Sequence, residues 1–253
     1  MKQYRKFESW QRDANHCLEH PDRAEIDDLR KLGYGFSRVE GQVAHDAKRL
    51  RLLLETLKKL REGKGPGRGH FEEHIMRRLL YLAFVESGNL YSCGFAPRPL
   101  STLPESIGLD QRSSFIFLQE LCLYAIDCLS FSRPRDSLAG HRRSFAFEIL
   151  SASVEVLELP ESVFDHLKRI LKSPKGNSIY GVLVFCENYY QLQPEGVPEE
   201  IEELLLRVVQ KTDSRGIATG ALSVLVEAGN ISEFEALDRI DDWKERNHYG
   251  FWS

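Results

Sequence analysis

The stretch "YGVLVFCENYY", Tyr180–Tyr190, decides the fold. Its valines, phenylalanine and tyrosines are the residues that strands favour. Its surroundings argue otherwise. No run in the chain alternates apolar and polar residues between hairpin turns, as a half-buried strand must. Downstream, Pro194 and Pro198 punctuate the chain, and "EEIEELLLRVVQK" resumes with helical spacing. The spacing therefore predicts a helix over 177–192, with a second over 198–211. With this stretch helical, nothing else in the chain reads as sheet, and the fold class is all-α.

Working outward, the same arrangement recurs. A helix over 144–158 is followed by one over 161–172, and a helix over 215–229 by one over 232–246. Pro160 stands before one helix and Gly229-Asn230 follows another, which is the expected punctuation. Ser232 with Glu235 three residues on forms a capping-box pattern. "SVEVLELPESVFDHLKRIL" aligns with "LVEAGNISEFEALDRI" around Glu155 and Glu227, and Glu187 of "FCENYY" falls between them. A helix-pair unit of roughly 36–40 residues resembles HEAT and armadillo repeats. The resemblance covers residues 114–253 and rests on unit length and helix pairing. It implies stacked antiparallel helix pairs, an α-solenoid in which one helix of each pair lines a partner-binding face.

Residues 1–113 read as a more irregular helical part, continuous with the rest. "YRKFESWQRDANHCLEHP" puts Phe7, Trp10, Ala14 and Leu18 on one face and stops at Pro21. A second helix is expected from about Phe36 to Arg61, with Val39, Val43, Ala47, Leu50, Leu54 and Leu57 in a stripe. "GKGPGRG", 63–69, breaks it. "HFEEHIMRRLLYLAFVESGN" resumes a helix that ends near Gly88. Residues 89–113, with three prolines and two glycines, form a long connection. The apolar run Phe115–Phe131 carries Gln119, Glu120 and Asp127, so it is a buried helix rather than a membrane span.

The chain has 253 residues, 42% apolar and 28% charged, enough for a substantial core. It starts charged, at "MKQYRKFESW", without a secretory apolar run. Its five cysteines, Cys17, Cys93, Cys122, Cys128 and Cys186, are odd in number and contain no C-x-x-C pair. Reduced, buried thiols in a cytoplasmic protein follow. The net charge of −4 is polarised: residues 1–143 carry 24 Lys and Arg against 19 Asp and Glu, and residues 144–253 carry 10 against 19. An acidic C-terminal half repels phosphates and disfavours broad nucleic-acid binding there.

Two stretches read H-x-x-E-H: "HCLEH" at His16–His20 and "HFEEH" at His70–His74. The second is similar to the motif of pitrilysin-type zinc peptidases. That resemblance implies His70 and His74 as metal ligands, Glu73 as general base and a third carboxylate such as Glu148. Helical spacing opposes it, because Phe71, Ile75, Leu79 and Leu82 form the apolar stripe and both histidines fall on the far side. The same holds for His16 and His20 opposite Phe7 and Trp10. The expectation is solvated polar surface, with no metal and no cofactor.

Two charged surfaces remain. Lys58, Arg61, Lys64, Arg68, Arg77 and Arg78 form an anionic-ligand patch around the glycine loop, and Arg133, Arg135, Arg142 and Arg143 add to it. The aromatic residues that stack single-stranded bases are absent from both runs. Glu199, Glu203, Glu235, Asp238, Asp241 and Asp242 make the second helices of the last two pairs acidic. The resulting expectation is a non-catalytic protein-binding module, an inhibitor, immunity-type or adaptor protein, whose acidic surface takes a basic partner. Nucleic-acid binding through the basic half and a zinc hydrolase on His70, Glu73 and His74 are the alternatives. The terminal aromatics Trp243, Tyr249, Phe251 and Trp252 are expected to close the end of the last repeat.

Overall fold

In the computed structural model of the chain, the residues described are 4–20, 26–36, 38–39, 42, 47–62, 71–72, 111–131, 139–151, 153–154, 158–174, 176, 178–192 and 199–249. All regular structure among them is helical. The helices are α1 Phe7–Glu19, α2 Ile26–Phe36, α3 Ala47–Glu62, α4 Gln111–Ser130 and α5 Ala139–Ser151. They continue as α6 Glu161–Lys172, α7 Ser178–Leu192, α8 Glu199–Lys211, α9 Arg215–Glu227 and α10 Glu233–Tyr249.

"YGVLVFCENYY" lies in α7 and is a helix. Ile179, Val182, Leu183, Phe185, Cys186 and Tyr190 are all buried, and they point in several directions around the axis. A helix wrapped on most sides is apolar nearly all round. That wrapping explains a strand-like composition without a strand. α7 packs against α5, α6 and α9, and Phe185 meets the rings of Phe147 from α5 and Phe164 from α6.

α5 packs on α7 and α7 on α9, while α6 packs on α8. Consecutive helices pack closely as α6 with α7, α8 with α9, and α9 with α10. The expected frame, 161–172 as second helix of one pair and 177–192 as first helix of the next, is thus crossed by direct packing of α6 on α7. The three residues Thr212–Ser214 between α8 and α9 are short enough to force those helices side by side. α5 begins at Ala139 and ends at Ser151, earlier at both ends than the expected 144–158. It stops where the Ser153 hydroxyl donates to Leu150 O at 2.7 Å. α4 begins at Gln111, inside the expected 89–113 connection.

The largest departure is near the N-terminus. The helix expected from Phe36 to Arg61 begins only at Ala47, as α3, and a helix that was not expected, α2, runs up to Phe36 before it. Val39 is buried in a turn between them. Gln42 explains the turn. Its Oε1 accepts from Phe7 N at 3.0 Å, and its Nε2 donates to Arg5 O at 2.8 Å. The first amide of α1 has no partner within its own helix, and Gln42 supplies one. α1 buries Phe7, Trp10, Ala14 and Leu18, the expected stripe. Trp10 packs on Phe7, Phe36 and Phe71 and donates from Nε1 to Leu32 O at 2.8 Å.

Buried apolar residues from Phe7 to Ile231 form one hydrophobic cluster. Cys122, Cys128 and Cys186 are buried within it and Cys17 is half-buried, all as free thiols. Burial raises Cys122 to about 11 and Cys186 to about 12, so neither forms thiolate readily near neutrality.

At the end of the chain, α9 closes on Gly229, whose φ of 73° is the left-handed conformation glycine adopts without penalty. Asn230 N then donates to Leu225 O at 3.0 Å. α10 starts at the expected cap, where Glu235 N donates to Ser232 Oγ at 3.2 Å. The Glu235 carboxylate turns to Arg239 instead of completing the box. Ser232→Ala should therefore destabilise the chain by about 1 kcal/mol. Urea unfolding followed by circular dichroism would read the shift, and an unchanged midpoint would remove the cap from the account. Trp243 is buried and donates to Thr212 O at 2.7 Å, closing α10 onto the end of α8. The side chains of Tyr249, Phe251 and Trp252 lie outside the described residues.

Candidate protein-binding surface

α10 carries six exposed acids, Glu233, Glu235, Asp238, Asp241, Asp242 and Glu245. At about 100° per residue, Ala236, Ile240, Trp243 and Asn247 share one face. Ala236 and Ile240 pack on the core, Trp243 is buried, and Asn247 is half-buried. Phe234, Leu237, Asp238, Asp241 and Glu245 share the opposite face. Phe234 is 82% exposed and Leu237 60% exposed, the former more so than any other large apolar residue described. Two large apolar side chains, one turn apart and rimmed by carboxylates, make a surface that water solvates poorly at its centre.

The acids differ in how free they are. Glu235 is bonded to Arg239 at 2.7 Å and Asp241 to Lys244 at 2.6 Å. Glu203 of α8 faces Arg207 at 3.9 Å. Glu200, its neighbour, bridges Lys168 and Lys172 of α6 at 2.9 and 3.2 Å, and those lysines hold its carboxyl below the usual range. Glu233, Asp238, Asp242 and Glu245 have no ion-pair partner among the described residues. The side chain of Glu199 lies outside those residues. The free negative charge therefore concentrates on α10 rather than spreading along α8. α10 and the end of α8 are joined by the Trp243 bond and by Arg246 Nη1 donating to Gln210 O at 3.1 Å.

The aligned glutamates Glu187 and Glu227 are also brought near each other. Burial, and then the charge of Glu227, push the Glu187 carboxyl up. Glu155 lies outside the described residues.

Comparison of the chain with protein-family models, curated proteins and solved structures finds no match.

Several bases of the N-terminal half pair with acids of that same half. Arg49 holds Glu8 at 2.6 Å, Lys58 holds Glu55 at 3.0 Å, and Lys59 and Arg51 lie near Glu19 and Glu120. Lys64, Arg68, Arg77 and Arg78, with the side chain of Arg61, lie outside the described residues. Arg142 corrects the extended patch. It is 3% exposed and pairs with Glu72, itself 1% exposed, through Nε to Oε1 and Nη2 to Oε2, both at 2.9 Å. Tyr124 OH adds a bond to Glu72 Oε1 at 3.0 Å, and Arg142 lies over the Phe131 ring. Glu72 sits inside "HFEEH" beside the buried Phe71, so that segment starts with a charge turned into the core.

His16 and His20 are exposed and their rings lie 4.9 Å apart, while Glu19 is near Lys59. His70, Glu73 and His74 fall outside the described residues. Glu148, the third carboxylate of the zinc reading, accepts from Ser144 Oγ at 3.0 Å on α5. Among the described residues, no three His, Cys, Asp or Glu side chains gather as a metal site would require. No described helix is long and apolar enough to cross a membrane.

Sequence reasoning missed Phe234 and Leu237. The signal was present, because "SEFEALDRIDDW" has apolar residues on two faces of one helix. α10 packs on α9 and on the end of α8 through one face, and the second apolar set lies on the other.

Proposed function

We propose that the chain is a non-catalytic protein-binding module of the inhibitor, immunity or adaptor kind, and that α10 presents its docking surface to a basic partner. The observation that carries this reading is the outward pair Phe234 and Leu237, rimmed by Asp238, Asp241, Asp242 and Glu245. Apolar anchors within a charged rim are the anatomy of a protein interface: the anchors supply affinity and the rim supplies steering and choice of partner. A complementary partner carries lysines and arginines around an apolar pocket or ridge. We further propose that the helices stack as a short HEAT-like solenoid. The mutual packing of α5, α7 and α9 in one row and of α6 and α8 in another supports this. The free buried thiols suit a cytoplasmic setting.

Affinity capture from native lysate with Phe234→Ser/Leu237→Ser and with Asp238→Lys/Asp242→Lys tests the reading. Each pair should weaken a captured basic protein by about thirtyfold or more, the size of a hot-spot loss near 2 kcal/mol. Circular dichroism should stay unchanged, because these side chains are exposed. A partner retained at full strength by both variants would sink the α10 surface.

A further inference from the structure

Two adjacent arginines of α5 take different fates. Arg142 turns inward to Glu72, whereas Arg143 turns toward α6. Its Nε is buried without a hydrogen-bond partner, and it has no ion pair among the described residues. Its charge reaches His166 of α6, as does that of Arg169, whose Nη2 stands against His166 Nδ1. Arg169 likewise lacks an ion-pair partner among the described residues. Across from them, Ser130 at the end of α4 lies 3.2 Å from His166 Nε2. We propose that Ser130, Arg143, His166 and Arg169 form a binding site for a phosphate-class oxyanion where α4, α5 and α6 meet.

The proton placement fits binding. A guanidinium can only donate, so His166 Nδ1 accepts and the neutral imidazole carries its proton on Nε2. Nε2–H then donates to Ser130 Oγ, leaving the serine hydroxyl proton free for a ligand. The same placement disfavours nucleophilic catalysis, which needs a bare Nε2 and a carboxylate at Nδ1. Burial, Arg169 and Arg143 hold His166 below its ordinary range, against the opposing charge of Asp165. Arg143 and Arg169 both act on His166 with positive charge, which an oxyanion bound there offsets. Arginine forks match tetrahedral oxyanions in geometry as well as charge. Lys168 and Lys172, on the neighbouring face of α6, are already satisfied by Glu200.

The ligand chemistry has two sources, a free phosphate ion or a phosphorylated side chain. Inorganic phosphate and a phosphoserine peptide are therefore titrated separately into the full chain at low ionic strength, with the His166 imidazole resonances followed by NMR. Saturable displacement by either supports the site, and the tighter probe identifies the source. Arg143→Gln and Arg169→Gln should each weaken binding about tenfold or more, the loss of a charge-assisted bond. Lys172→Gln removes the same charge from the same helix and should leave affinity within about twofold, since that lysine is occupied by Glu200. Circular dichroism confirms the fold of each variant. No saturable shift with either probe overturns the proposal. So does equal weakening by Lys172→Gln, which would mark diffuse attraction instead of a site. Neither outcome bears on the α10 surface, which lies on another helix.

Discussion

Glu72→Ala is expected to lower the free energy of unfolding by about 3–5 kcal/mol, the cost of leaving a buried guanidinium unpaired. Arg142 would keep its charge in a site where it is 3% exposed, facing the Phe131 ring and a cavity in place of a carboxylate. Tyr124 OH would lose its bond to Glu72 Oε1 as well. The triple change Glu72→Met/Tyr124→Phe/Arg142→Met should recover most of the loss, because apolar side chains of similar volume avoid the desolvation that the ion pair must offset. Urea unfolding of the two variants beside the parent chain measures both effects. A single-variant loss under about 1 kcal/mol would mean that water reaches the pair, and the buried account would fail. The pair also links the segment at Phe71–Glu72 to α4 and α5, across 70 residues of sequence in the case of Arg142. Glu72→Ala should therefore speed hydrogen exchange in α5 before it affects α9.

Gly181→Ala is the second large loss expected. A Cβ on Gly181 would stand 2.1 Å from Ser144 O and 2.5 Å from Ser144 Cα, both backbone atoms of α5. Side chains can rotate away from such a clash, but a helix backbone cannot. α5 and α7 would have to separate along their shared contact, breaking the bond from Gly181 N to Ser144 Oγ at 3.0 Å. That bond ties the first turn of α7 directly to α5. The expected cost is about 3 kcal/mol or more, the upper end of overpacking effects. Gly216→Ala is the control. Nothing lies within 4 Å of its added Cβ, so the change should be neutral or stabilise by up to about 1 kcal/mol through helix propensity. If the two variants unfold at the same denaturant concentration, the close approach of α5 and α7 is wrong.

Helices were the most legible feature because their signals are local. Apolar spacing along α1, proline before α6, and glycine after α9 act within one or two turns of the residues that carry them. The break between α2 and α3 was not legible. The apolar stripe continues through Val39 and Val43, and the reason to turn there is Gln42 reaching back to the start of α1. The candidate surface was legible as a cluster of acids and not as a surface. Glu200, Glu203, Glu235 and Asp241 turned out to hold bases from their own or a neighbouring helix.

By itself the sequence determined that the chain is helical, where most helices of the C-terminal half lie, and that negative charge gathers there. Periodicity, punctuation and composition are properties of neighbours along the chain. Tertiary structure decided which charges are spent and which are left. It drew Arg142 inward to Glu72 and left Arg143 beside His166, although the two arginines are adjacent in sequence. It buried one face of α10 and left Phe234 and Leu237 in solvent. Each outcome depends on which distant helix packs alongside, and a charge is free or satisfied only relative to groups the fold brings within a few ångströms of it.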